Sequence, residues 1–348
     1  MNELFIQSVF SKMAEQRPSL QKYLVADEEE DLIDHRILGD LLIKSFPWPI
    51  GVELRRLFSG TLQRPDRGRL DQIFKTIERT MQFISYVLVS QCWEEKRLRS
   101  IPLSGEFTDQ FQRRIETTTL GSFSWLIRTI SGIFRAAGTH HFMTEMDEVL
   151  DKKFFQLLDF WAPERNDIGH YQINLTQDEV EKRCVEYEEK LSHILQHLTF
   201  LSKYKLVTTR EIMVRKAKHK EAAFQHHMDL LNSSDSDFKA TEISYHQFAD
   251  SNAVLIMKDF KEPNEFLNLS PLVIDTRPEV IDQKSKFMLK KDIFLFTKFQ
   301  NERLHYIGTE VTEKVDLTML SFYPDMMDQF REMTNTLTNL SDVHSHAT

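Results

Sequence analysis

Glycine and proline are scarce in this chain, with 10 of each in 348 residues, and cysteine is nearly absent, with 2. So few chain breakers imply long regular elements, helices above all. Two thiols, Cys92 and Cys184, cannot build a disulfide framework, and neither stands in a Cys-x-x-Cys or Cys/His spacing that would hold zinc. Cys92 sits in an apolar run and is expected to be buried. Long hydrophobic runs are missing too. The longest, Phe83 to Trp93, is interrupted by Ser and Gln and falls far short of the roughly 20 residues that span a bilayer. No basic segment followed by an apolar core opens the sequence, so the expectation is a soluble, cytoplasmic protein with no membrane contact.

A basic excess is also lacking. The net charge of −9 argues against a uniformly basic nucleic-acid coat, although not against a local basic site. Arg55, Arg56, Arg64, Arg67 and Arg69 gather in one stretch, Lys96, Arg97 and Arg99 in a second, and Lys203 to Lys220 in a third. Such runs read as solvated helix faces unless folding brings them beside a reactive centre. The acidic run Asp27 to Asp31 reads as a solvated turn or helix start. There is no GxxxxGK[ST] phosphate loop, no GxGxxG, no HExxH, no GxSxG and no kinase signature. His219, His226 and His227, like the pair His140-His141, lack the carboxylate or cysteine partners of a zinc site, so neither metal nor cofactor is expected.

What is present suits ordinary cores: 41% hydrophobic residues, including 26 Phe, in a chain long enough for two domains. Apolar residues at helical spacing mark Leu4 to Met13, then Ile33, Ile37, Leu38, Leu41 and Leu42, a stripe that stops before Phe46-Pro47-Trp48-Pro49. Leu70, Ile73, Phe74, Ile77, Met81, Ile84, Val87 and Leu88 form one long face. Further stripes run from Phe123 to Phe134, from Met146 to Trp161 and over about 177–204. The last has Thr176 or an adjacent residue as its N-cap, with Asp178 and Glu179 in the first turn.

Character changes at Asn232-Ser233-Ser234-Asp235-Ser236-Asp237, which reads as a linker. Ala253 to Met257 and Leu267 to Ile274 read as strands, and Asp292 to Thr297 with Leu304 to Gly308 as a hairpin joined through three to five residues around Asn301-Glu302-Arg303. The fold class is therefore α+β, with an N-terminal all-α bundle over 1–205, a connecting helix over 206–232, a smaller β-rich domain over 233–324, and a helical or frayed tail over 325–348.

One segment carries chemistry. Trp161-Ala162-Pro163-Glu164-Arg165-Asn166-Asp167-Ile168-Gly169-His170-Tyr171 sets an arginine, an amide and an imidazole within about one to two helical turns. The bare spacing recurs at Arg135 to His140, where only Ala, Ala, Gly and Thr intervene and a helix ending at Gly138 is the simpler reading. At Arg165, the Asn166 that follows directly and the helices on either side add to the pattern. The structural alternative is an arginine bonded to Glu164 or Asp167 and a histidine capping a helix. Trp161 and Tyr171 beside the motif read as core aromatics before base-stacking platforms.

The order helix, Arg-Asn-x-x-x-His, long helix resembles the HEPN superfamily, many of whose members cleave RNA. The resemblance bears on about residues 70–205 and is sharp only over Arg165 to His170. It implies a metal-independent endoribonuclease, with His170 as acid or base, Arg165 as phosphate ligand and Asn166 orienting the imidazole or ribose. It also implies a composite site across a homodimer, an RNA substrate, and a C-terminal region that binds a regulatory protein or a small-molecule trigger. Proteins of this kind serve in prokaryotic antiviral defence and signalling. The competing expectation is a non-catalytic HEPN-like sensor or interaction module that dimerises or binds a partner protein.

Overall fold

The computed structural model describes residues 2–24, 33–171, 175–231, 240–245, 249–250, 253–258, 265–276, 292–311 and 315–338, at 166–171 and 240–245 by their backbone alone. The acidic run at 27–31, the linker at 232–237 and the chain end from 339 lie outside these residues. The helices described are α1 (Asn2–Gln16), α2 (His35–Ser45), α3 (Trp48–Leu57), α4 (Arg67–Arg99), α5 (Gly105–Glu116), α6 (Leu120–Ala137), α7 (Met146–Val149), α8 (Lys152–Tyr171), α9 (Gln177–His197) and α10 (Tyr323–Leu337). The strands are β1 (Lys205–Arg215), β2 (Ala223–Leu230), β3 (Ala240–Tyr245), β4 (Val254–Met257), β5 (Phe266–Asn268), β6 (Val273–Asp275), β7 (Ile293–Gln300) and β8 (Arg303–Gly308). This is an α+β architecture, with a helical N-terminal region followed by a smaller β-rich one. No described helix is long and apolar enough to cross a membrane.

Local chemistry sets the helix ends. The Thr176 hydroxyl accepts from the Glu179 N–H while Glu179 reaches back to the Thr176 N–H, a complete capping box at the start of α9. Asp34 caps α2 through the Arg36 N–H at 2.8 Å. Gly138 ends α6 in the left-handed region at φ 65°, as expected for the Arg135 segment.

Several expectations need correction. In place of the connecting helix expected over 206–232, the described residues up to 231 form strands β1 and β2, because Val207, Thr208, Thr209, Ile212 and Val214 are β-branched and a turn at Ala217 to Lys220 reverses the chain. Leu267 to Ile274 is two strands in different sheets, split by a turn at Leu269 to Leu272 that contains Pro271, which has no N–H for a ladder. The β7–β8 connection is two residues long: Gln300 pairs with Arg303, and Asn301 and Glu302 both take φ 53°, as a tight primed turn requires. Ile37, assigned to the α2 stripe, is 47% exposed. The helical region is not one body either. One compact unit comprises 1–83, 148–206 and 230–239, and the other comprises 84–147, 207–229 and 240–348.

In the first unit α1 packs against α2 and α9, and α8 against α9. Phe10, Met13, Leu42, Ile77, Trp161, Leu191 and Ile194 are fully buried there, each worth about 1.5–3 kcal/mol or more of transfer free energy. Gly51 lets α3 approach the end of α2 closely, since a Cβ there would sit 2.5 Å from the Ile43 carbonyl oxygen. Arg69, read from sequence as part of a basic stretch, is wholly buried. Its guanidinium donates to Glu188 at 2.6 Å, to Asn2 at 2.7 Å and to the Leu62 carbonyl at 2.6 Å. It ties α1, α4, α9 and the turn after α3 together. Glu188 is nonetheless shifted upward, because burial outweighs the attraction of Arg69.

The second unit holds sheets ordered β3-β2-β1-β4-β5 and β6-β7-β8, with antiparallel pairing of β2 with β3, β4 with β5, β6 with β7 and β7 with β8. Every residue of β4 is buried, as is Ile293 to Phe296 of β7, so these strands read as continuous apolar runs rather than alternating ones. Phe330 of α10 covers β7, with ring centroids 5.1 Å from Phe296 and 5.3 Å from Phe299. Helix α5 packs on the same strand, and Thr118 donates to the Thr297 carbonyl, which draws α5 and α6 into this unit. The buried Asp292 carboxylate accepts from the backbone of Ile293, Glu310 and Val311 and from the Thr309 hydroxyl, pinning the chain after β8.

Candidate functional site

Helix α8 carries the Arg-Asn-x-x-x-His segment inside its last turns rather than after its end, and the helix continues through Pro163. Asp151 begins it by accepting from the Phe154 N–H at 2.9 Å, which separates α8 from the short α7 that the sequence pattern joined to it. Trp161 anchors the helix. It is fully buried and meets Phe74, Phe160 and Tyr187 edge to face at 5.8, 5.4 and 5.8 Å. It is therefore a core residue, as expected, and does not stack a base.

One turn further along, the environment opens. The Arg165 side chain is 45% exposed and its Nε lies 3.9 Å from Glu78 Oε2, itself on an exposed side chain. Glu164, one of the two carboxylates that the structural alternative offered to Arg165, is engaged elsewhere: it accepts from the Tyr187 hydroxyl, and Arg183 lies 3.6 Å from it. Burial, then Glu164, raises the Tyr187 phenol above its ordinary range, so the phenol stays a proton donor. Positions 166 and 170 fall on one stripe of α8, whereas position 165 lies about 140° around the axis from 170. The side chains of Asn166, His170 and Tyr171 lie outside those described, and the backbone places positions 165 and 170 on different faces of α8.

The second Arg-x-x-x-x-His segment behaves differently. Beyond the Gly138 cap, His140 and His141 both turn to Asp147, with Nδ1 to carboxylate distances of 2.8 and 2.5 Å. His141 Nε2 lies 3.3 Å from Ser131 Oγ, so Ser131, His141 and Asp147 reproduce the connectivity of a hydrolase relay. Ser131 is 1% exposed and His141 is 6% exposed, which denies a substrate access. Burial lowers the His141 pKa despite Asp147, so the ring is neutral near pH 7 and serves as a buried hydrogen-bond hub. Gln91 locks the same loop to α4, donating to the His140 carbonyl and accepting from the Phe142 N–H. Asp147 is the partner that sequence spacing did not single out for these histidines.

In the second unit a cleft of 490 Å³ is lined by Trp93 and Glu94 of α4, Asp250, and Phe322, Asp325 and Glu332 from the α10 region. Asn268 organises it: its N–H bonds Glu94 and its side-chain amide donates to Asp250 at 2.6 Å. Burial first, and then Asp250 and Glu95 against Arg97, lifts Glu94 from 4.5 to about 7. Its walls come from separate stretches of sequence with no shared motif, so no local signal marks it. Among the described residues no group of three or more His, Cys, Asp and Glu is placed to hold a metal. His226, one of the histidines noted in sequence, is buried, with Nδ1 at 2.9 Å from the Phe224 carbonyl and Nε2 accepting from the Ala249 N–H. No protein-family model, no curated protein and no solved structure matches this chain.

Proposed function

We propose that the last turns of α8 form half of a metal-independent RNA-cleaving site, completed by a second copy of the same turn in a homodimer. The observation that carries this reading is Arg165 itself: a guanidinium on a helix anchored by buried aromatic residues, nearly half exposed, and held no closer than 3.9 Å by Glu78. A phosphate oxygen would displace so loose a contact, since arginine offers a planar fork that suits phosphate. The angular offset of positions 165 and 170 on one helix also favours a composite site, in which Arg165 and His170 meet across two copies.

In this reading the 2′-hydroxyl of RNA attacks the adjacent phosphorus. A histidine takes the hydroxyl proton, and an acid returns a proton to the departing 5′-oxygen. The new bond is O2′–P and the broken one is P–O5′, leaving a 2′,3′-cyclic phosphate and a 5′-hydroxyl. Arg165 neutralises charge on the phosphorane oxygens. Asn166 orients the imidazole or the ribose. No protein nucleophile or metal is needed, and histidine, with an unperturbed pKa near 6.5, works on either side of the transfer.

A second reading, a non-catalytic dimerising module in a defence or signalling system, is favoured by Glu78, whose carboxylate competes with phosphate for Arg165. Purified wild-type, His170→Ala and Arg165→Lys proteins, incubated with mixed RNA in chelator, separate the two. Cyclic-phosphate ends made by wild type alone support the enzyme, and Arg165→Lys should be severely impaired because an ammonium lacks the bidentate geometry. Equal cleavage by wild type and His170→Ala, or none by wild type, leaves the interaction module.

A further inference from the structure

We propose that a basic pocket on α3 and α4 is a ribose-phosphate subsite that holds the RNA strand on one side of the α8 turn, an assignment that rests on the RNA-cleaving reading above. The pocket, of 380 Å³, is lined by Arg55 and Arg56, Ser59 and Thr61, Leu62 and Gln72. Arg55 and Arg56 close the last turn of α3, and the next few residues fold back to present two hydroxyls beside them.

The pocket is held in shape from behind by charges that do not face solvent. Glu53 is 3% exposed. Its carboxylate accepts from Arg56 at 3.0 Å and from the Gln72 amide at 2.8 Å, with Arg79 3.8 Å away. Buried Arg69 donates to the carbonyls of Leu57 and Leu62, at 3.4 and 2.6 Å, fixing the start and end of the turn that carries Ser59 and Thr61. A receptor whose walls are set before the ligand arrives loses less entropy on binding.

The polar inventory fits a nucleotide backbone better than a bare anion. Ser59 and Thr61 share one hydrogen bond at 3.0 Å, which uses one of their two hydroxyl protons and leaves the other for a ligand oxygen. Both amide protons of Gln72 point to Glu53, to its carboxylate and its carbonyl, which leaves the Gln72 oxygen as an acceptor. Two guanidinium groups and a hydroxyl donor suit a phosphate, and an acceptor among them suits the 2′-hydroxyl that distinguishes RNA. Distance agrees as well. Gln72 and Glu78, the contact of Arg165, lie on the same helix with a rise between them of about 9 Å and an offset of about 120° around the axis, so a strand joining the two must curve around α4. That rise spans on the order of two to three nucleotides of a stacked strand.

The test measures binding of a fluorescein-labelled single-stranded RNA to the full-length protein by anisotropy across a salt series, with cleavage scored separately by product ends. Each phosphate contact to a single strand contributes about 0.7 to the slope of log K against log salt. Arg55→Ala/Arg56→Ala should therefore flatten the slope by about 1.4. Thr61→Glu, at an exposed position that leaves the Glu53 contacts alone, should weaken binding at least several-fold while preserving the melting temperature. Inorganic phosphate at constant ionic strength should displace the RNA poorly. Unchanged slope and affinity in both variants, no RNA binding by wild type at low salt, or ready displacement by phosphate each overturn the subsite. Cleavage with an unchanged slope removes the subsite and leaves the nuclease standing; a flattened slope without cleavage does the reverse.

Discussion

Glu94 offers the most direct check on the electrostatics of the second unit. Its carboxyl is lifted from 4.5 to about 7, first by burial and then by Asp250 and Glu95, with Arg97 and the Asn268 N–H opposing; Asp325 and Glu332 also line the cleft. A pKa raised on folding means that the native state holds the proton more tightly than the unfolded chain. The resulting stability is complete below about pH 4.5 and is lost as pH rises through 7. A rise of about 2.5 tenfold steps in proton affinity, at about 1.4 kcal/mol each, sets a ceiling of roughly 3.5 kcal/mol. The partial exposure of Glu94 reduces this to roughly 1–3 kcal/mol. Glu94→Gln keeps the shape without the titration. Urea unfolding across pH 5 to 8.5 should show wild type losing that increment relative to the variant as pH rises, with the two curves meeting at the acid end. If the variant is the less stable protein at the alkaline end, the ionised Glu94 is a net stabiliser through Asn268 and this reasoning fails.

Other perturbations test separate parts of the structure. Arg69→Ala leaves Glu188 buried without its cation and should cost about 3–5 kcal/mol, whereas Arg69→Met with Glu188→Leu should recover most of that loss in the same urea melts. Thr176→Ala removes the capping box of α9 and should cost about 1 kcal/mol, read from the thermal midpoint. Gly308→Ala forces a Cβ within 2.5 Å of Asp292 and should destabilise by about 1–3 kcal/mol; a neutral result would show that the carboxylate moves aside. Burial drives both thiols upward, Cys184 to about 11, so a disulfide reagent should find neither Cys92 nor Cys184 quickly in folded protein and both after denaturation.

Helices were legible in the sequence where a periodic stripe met a capping residue. Thr176 with Glu179 and Gly138 are examples, because capping is local chemistry between residues a few positions apart. The segment after residue 205 misled because its charges suggest a solvated helix, while its β-branched residues pair with strands that composition cannot locate. Arg69 misled for a related reason. A guanidinium in a basic run looks solvated until its acceptors arrive from Glu188, Asn2 and the Leu62 carbonyl. Position 165 was legible as an arginine in a patterned segment, but neither its exposure nor Glu78 beside it was, since that contact joins residues far apart in the chain. The same is true of the Glu53 scaffold behind Arg56 and of the cleft around Glu94. Side chains that meet only after folding leave no spacing to read.

The close approach of position 308 to Asp292 bears on how this protein can vary. The volume that a methyl group would fill at one site is already occupied by an oxygen from the other. That oxygen also anchors the two amides that follow the last strand. A lineage that enlarges residue 308 must therefore trim residue 292, and in doing so must find new acceptors for the chain beyond. Drift at these two positions should be locked together, with either change alone purged and the double change tolerated only alongside a rebuilt loop.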